Sequence, residues 1–344
     1  MRGADFSSPS LTQTRGRYLL LHPFPHAANS APASHHIATA YAEADLACKQ
    51  MSGVARTTTL CAIASATTTT KTSATKTRRT RAAKKKTKDL RSVVTQWRTE
   101  GVPLKNLPME YLARLEGVDY VKRSSVTAVG KTLKEADETN VQSELRDRML
   151  ADALREETGA RADDEAANDL LAVAAAVVMV ADGLLDEGHN VVTPHSWPAP
   201  TSFAGKPRTE NTAAKDISSY VHSLVHRSEG INEGEFGTGF NNSRFWIRSA
   251  GNQPVFPHVL EFARDIAEAV DSERAKEAVD AMGEEWSPLA FGKLCEQTIK
   301  SHGRKLKQAR ASSEPLLTFC ERVQGYEMAC IVEYCVEQAG GSLK

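Results

Sequence analysis

The sequence predicts an all-α protein, an irregular multi-helix bundle forming a single main domain behind a disordered N-terminal tail. Three observations point there. After residue 88, apolar residues recur at helical spacing in segment after segment, and no stretch alternates apolar with polar residues as a half-buried strand would. The first 88 residues carry too little apolar surface to offset the entropy of ordering them. No fixed period marks a repeat architecture.

The leader comes first. Residues 1–88 carry 14 Lys/Arg against three acids, Asp5, Glu43 and Asp45, and the rest of the chain is acidic by the same margin, so the net charge is zero. Met51 to Lys88 contains no acid, ten Lys/Arg and fifteen Ser/Thr. An acid-free, hydroxyl-rich, basic segment has the make-up of an organelle transit peptide. Import into a plastid (chloroplast) is the leading expectation and the mitochondrion the second. A nuclear or nucleic-acid tail, TRRTRAAKKKTK, is the rival, and it sits poorly with an acidic body. Met51 is itself a candidate start.

Helices follow in order. Leu90–Arg98 and Met109–Glu116 flank the turn VPLKNLP. With a polar helix over Thr132–Leu154, whose apolar face (Val141, Leu145, Met149, Leu150) is narrow, they make an N-terminal helical segment, 89–160. The core domain is 161–344. Its central element is Asp163–Glu187, opened by acids that suit a helix N-terminus. The apolar run Leu170–Ala181, bracketed by Asp169 and Asp182, is too short to cross a bilayer and reads as a buried core helix. TPHSWPAPTSFAGKP, with four prolines in fourteen residues, is expected to be loop. Thr212–Ser228, Asn241–Ala250, Pro257–Val270, Ser287–Ser301 and Glu314–Gln338 complete the helices. Six cysteines without a CxxC pair argue against a zinc ribbon or a thioredoxin-type motif. Cys320, Cys330 and Cys335 read as buried thiols of a reducing compartment.

In SYVHSLVHRSEG, His222, His226 and Glu229 stand at i, i+4 and i+7, one stripe of a helix. Two imidazoles a turn apart can chelate one ion, although HSLVH is not the HExxH of zinc proteases. Ile217, Val221, Leu224 and Val225 mark the opposite face, so the same stripe would lie in solvent if it were only polar surface. Upstream, DEGH places Asp186 and His189 at the end of the hydrophobic helix, where carboxylates oppose the helix dipole and demand a compensating cation. A catalytic metal needs at least three protein ligands. The expected assignment is therefore a divalent metal ion on His189, His222 and His226, with Asp186 or Glu229 as general base and Arg227 orienting an anionic substrate. Glu229 is also a candidate third ligand. Asn242, Trp246 and Arg248 are expected in the same pocket, Trp246 equally well as a packing anchor. His195 and Trp197 are lid candidates. GEFGTG joins two helices, so it reads as a connector rather than a nucleotide loop.

The strings DEGH (186–189), HSLVHRSEG (222–230) and NSRFWIRSAGNQPVF (242–256) together resemble an all-helical family. Its members carry D-E-x-H at the end of an apolar helix, then H-x-x-x-H-R-x-E-G and N-x-x-(Y/F)-W-x-R-x-x-G-x-x-P-V-F. The resemblance covers about residues 160–265, and the chain departs from the shorter members by extra residues in INEGEFGTGF. It implies that Asp186, His189, His222, His226, Arg227, Glu229, Asn242 and Trp246 form one local assembly, and it brings no activity with it. The functional expectation is an organelle-targeted soluble enzyme, a metal-dependent hydrolase or lyase acting on a small, anionic substrate. Di-iron chemistry fits less well, because it uses more carboxylates. The alternative is a non-catalytic helical interaction or structural protein.

Overall fold

The computed structural model describes residues 88–109, 143–160, 164–201, 204–234 and 237–343. Residues 1–87 of the leader, 110–116 of the helix expected over Met109–Glu116 and the first half of that over Thr132–Leu154 lie outside the described residues. Within the unit Arg81–Lys344 the chain forms α1 (Leu90–Glu100), α2 (Ser143–Thr158), α3 (Glu165–Asp182), α4 (Leu185–Ser196), α5 (Thr212–Glu229), α6 (Gly239–Ala250), α7 (Phe256–Ala269), α8 (Glu273–Asp280), α9 (Pro288–His302), α10 (Leu306–Ala311) and α11 (Pro315–Gln338). Among the described residues the only sheet is a two-residue antiparallel ladder, β1 (Glu233–Gly234) on β2 (Gly237–Thr238), just before α6. The all-α class is as predicted.

The helices begin where polar side chains can take over the first backbone N–H groups. Asp89, Asp164, Asn211, Thr238, Ser272 and Ser287 each accept from the N–H three residues on, satisfying a donor that a helix start leaves open. From Leu170 to Val180 every residue of α3 is buried. A helix apolar on all sides must pack on all sides, and α3 does so against α2, α4, α5 and α11. Each of its buried leucines and valines contributes on the order of 1.5–3 kcal/mol. α5 is likewise buried from Ile217 to Glu229, polar residues included, and packs against α3, α4 and α6. α1 packs on α11 and α2 on α3, so contacts run across residue 160.

Two boundaries differ from the sequence expectation, and both bear on the site. α3 stops at Asp182 because Gly183 turns left-handed (φ 88°), its N–H returning to Met179 and Val180. Glycine takes that conformation without steric cost. Asp186 and Glu187 therefore occupy the first turn of α4 rather than the last turn of α3. There the dipole favours carboxylates, so no compensating cation is demanded.

The second difference lies in the proline-rich stretch. α4 continues through Pro194 to Ser196. Proline has no N–H to give the carbonyl of Asn190, and Arg146 Nη2 of α2 donates to that oxygen instead at 3.1 Å. The short helices α8 and α10 were not anticipated.

Candidate metal centre

Three helices build the site. α4 contributes His189 and Ser196, α5 contributes His222, His226 and Glu229, and α6 contributes Asn242 and Trp246. The histidines are 5 %, 2 % and 1 % exposed in that order, so their stripe faces the interior rather than solvent. Ring centroids lie 4.6 Å apart for His189–His222, 5.4 Å for His189–His226 and 5.0 Å for His222–His226. One ring nitrogen from each lies within 4.8 Å of the other two, and no other such group of three potential ligands occurs among the described residues. Three nitrogens bound to one ion at about 2.0–2.1 Å sit about 3.3 Å apart, so ring rotations of about 1 Å would close the set.

The imidazoles are held neutral. Burial pushes His189 well below its ordinary pKa, with further lowering from His226. Burial does the same to His222, helped by His189 and then His226, and it brings His226 down to about 3. Neutral imidazole is the form that binds a metal.

Hydrogen bonds then select the tautomers. Ser196 Oγ donates its single hydrogen to Val192 O at 2.7 Å, so it accepts from His222 Nδ1–H at 2.9 Å. His222 Nε2 is left with its lone pair and has no hydrogen-bond partner. Likewise the Glu229 carboxylate, 3.1 Å from His226 Nδ1, fixes the proton on Nδ1 of that ring. Both rings thus turn Nε2 outward with the opposite nitrogen anchored, as metal-binding histidines commonly do. Asn242 Nδ2 lies 3.0 Å from His226 Nε2 and 3.3 Å from its Nδ1; near-equal distances place the amide over the ring face, off either lone-pair axis.

α6 closes the cluster. Trp246 stacks on His222 with centroids 3.7 Å apart and planes 14° off parallel, and Trp197 meets Trp246 edge-on at 6.1 Å. Gly239 lets α6 start this close: a Cβ there would fall 2.4 Å from His226 O and 2.7 Å from Glu229 Cβ.

The structure brings His189, His222, His226, Glu229, Asn242 and Trp246 together. It turns Arg227 and Arg248 elsewhere. Arg227 is one position, about 100° of helix, past His226. Its Nη2 donates to Glu327 and its Nε to Gln324 at 3.2 Å, both on α11, and its guanidinium lies over the Phe291 ring. It is a buried structural ion pair rather than a substrate clamp. Arg248 is exposed on α6. Asp186 is half-buried in the first turn of α4, and its expected role as a base loses the dipole mismatch that motivated it. Glu229 supports His226 and is not one of the three grouped ligands. His195 is fully buried in α4, which excludes a lid.

Sequence reasoning missed Ser196, which no metal motif would mark, since it holds His222 from a different helix. The chain matches no protein-family model, no curated protein and no solved structure.

Proposed function

We propose that the chain binds one divalent metal ion through His189, His222 and His226 and uses it in a hydrolytic or lyase reaction on a small substrate. His222 Nε2, a buried lone pair without a hydrogen-bond partner beside two other neutral imidazoles, carries this reading. A buried polar atom left unsatisfied costs about 1–3 kcal/mol, a penalty that a bound ion would remove. Three neutral nitrogen ligands suit zinc or a similar borderline ion and leave a fourth position for reactants. The ion would supply Lewis-acid activation. Ser196 and Glu229 would keep the ligand nitrogens deprotonated and aimed, while Trp246 and Trp197 would exclude water from one side. With Arg227 committed to Glu327, an anionic substrate would have to be recognised by groups other than that guanidinium.

A second reading, a non-catalytic helical protein, is favoured by one observation: all three rings are almost wholly buried. Metal content and activity separate the two. The full chain, purified without chelator and supplied with zinc, cobalt or manganese, is expected to retain about one ion per chain. A His222→Ala/His226→Ala double variant should lose it. Absence of retained metal in the wild type would remove the metal reading. A metal-loaded chain that unfolds when the ion is withdrawn, and turns over no ester, phosphate or carboxylic-acid substrate, would favour the structural role. The composition of residues 51–88 supports our further proposal that the protein acts inside a plastid.

A further inference from the structure

A second cluster of charged side chains lies where α2, α3 and α4 meet. Asp147 comes from α2, Asp169 from α3, His195 from α4 and Arg208 from the segment before α5; all four are buried. Arg146 Nε and Nη2 donate to Asp147 Oδ1 at 2.8 and 2.6 Å. Arg208 Nη2 donates to Asp169 Oδ1 at 2.5 Å, its Nη1 lies 3.9 Å from Asp147 Oδ2, and Glu165 approaches it from the exposed side at 3.4 Å. His195 sits between the two aspartates, with Nε2 3.3 Å from Asp147 Oδ2 and Nδ1 3.9 Å from Asp169 Oδ2. Asp169 Oδ2 and His195 Nδ1 are both buried with no hydrogen-bond partner.

The proton count of this arrangement is one short. A neutral imidazole has a single N–H, and an ionised carboxylate only accepts. Whichever nitrogen of His195 carries the hydrogen, the other turns a lone pair toward a carboxylate. Two acceptors facing each other away from water are unfavourable. One additional proton, on the ring or on a carboxyl, satisfies both contacts at once.

We propose that the Asp169–His195 pair binds one titratable proton, and that this proton is a pH-sensitive latch holding α4 to α3. With the proton in place the gap closes into a hydrogen bond. Without it, two like atoms oppose each other and α4 loosens from the helix on which it packs. The proton belongs to the Asp169 side. Burial works against ionising Asp147, but the Arg146 guanidinium and then the His195 contact outweigh it and hold that carboxyl below its usual range. Burial pushes the Asp169 carboxyl up, against the pull of His195 and Arg208, and Asp147 and Glu165 add to the rise. A cleft of about 460 Å³ lined by Glu165, Asp169, Glu210, Asn211 and Thr212 gives the proton a route to solvent. Further titratable or charged groups on α4 and on the helices packed against it are Asp186, Glu187 and His189 of α4, Asp182 of α3, and Lys215, Asp216, His222, His226, Arg227 and Glu229 of α5.

The test compares the full chain with its Asp169→Asn variant, whose stabilities are measured by urea unfolding from about pH 4 to about pH 8. Asparagine keeps an oxygen for Arg208 and presents a permanent N–H to His195 Nδ1, while every other titrating group is common to both proteins. A carboxyl that holds its proton more tightly when folded stabilises the fold at low pH, and that contribution is lost as pH rises through its folded pKa. The folding constant of Asp169→Asn relative to wild type should therefore climb with pH, by up to about tenfold per unit, and level off on the alkaline side, above the folded pKa. A ratio that is flat, or that falls with pH, overturns the latch. Should the variant fail to fold, carbon-13 NMR of the wild-type Asp169 carboxyl decides. A titration midpoint above the ordinary value of 3.8 supports the proposal, and one at or below it overturns it.

Discussion

Acidification from about pH 7 to about pH 5.5 is expected to destabilise the metal-free fold through the three buried imidazoles. His189, His222 and His226 are all held below the ordinary histidine value of 6.5. In the unfolded chain each takes up a proton as the pH falls past that value, and in the fold each refuses it. Their stabilising contribution is thus present above about pH 6.5 and lost below it. Each group costs about 1.3 kcal/mol over the interval, about 4 kcal/mol for the three. Asp169 works in the opposite direction and can offset at most one proton's share, leaving a net loss of at least about 2 kcal/mol. Against a typical total of about 5–15 kcal/mol this is large. Urea unfolding of chelator-treated protein, followed by circular dichroism at the two pH values, measures it. His222→Gln should reduce the histidine contribution by about one third. A wild-type loss below about 1 kcal/mol, with unchanged denaturant slope, would refute the picture of three neutral, sealed rings.

Three further outcomes are expected. Glu327→Gln leaves Arg227 buried without its counter-charge and should cost about 3–5 kcal/mol, while Arg227→Met/Glu327→Leu, combined with Tyr220→Phe because that hydroxyl also donates to Glu327, should recover most of it; an unchanged urea midpoint for the single variant contradicts the pairing. Ser196→Ala frees the His222 tautomer and should weaken metal binding about 10–100-fold in competition with a chromophoric chelator. Ser196→Thr should retain binding, and equal affinity for all three proteins would show that the hydroxyl is idle. N-terminal sequencing of the protein isolated from its native source should find a mature start near residues 80–90 if the basic leader is an import signal; an intact TRRTRAAKKKTK stretch counts against import.

The site was partly legible because helix geometry is local. The spacing of His222, His226 and Glu229 announces one stripe, and an unbroken α5 carries it intact. What spacing alone does not reveal is which way a polar stripe faces. Burial of that stripe depends on α4 and α6 arriving from elsewhere in the chain, α6 within reach only because residue 239 lacks a Cβ. The end of α3 was marked in the residues themselves, since Asp182–Gly183 is a recognisable helix stop; the apolar run overrode it, and with it went the correct placement of Asp186. Arg227 looked like a site residue by adjacency, yet one step along a helix turns a side chain to a different neighbour, and its partner Glu327 lies 100 positions away. Asp147, Asp169 and His195 carried no shared motif, because three separate helices supply them.

The carbonyl of Asn190 accepts its hydrogen bond from Arg146, a residue on another helix. A peptide limited to residues 185–196 would lack that donor, and Pro194, near its end, would leave the Asn190 carbonyl open at mid-length. In the folded chain the segment bearing His189 and Ser196 thus relies on α2 for one of its backbone partners. Assembly of the imidazole cluster is in this way tied to a long-range contact, and damage to Arg146 would reach the candidate ligands without touching any of them.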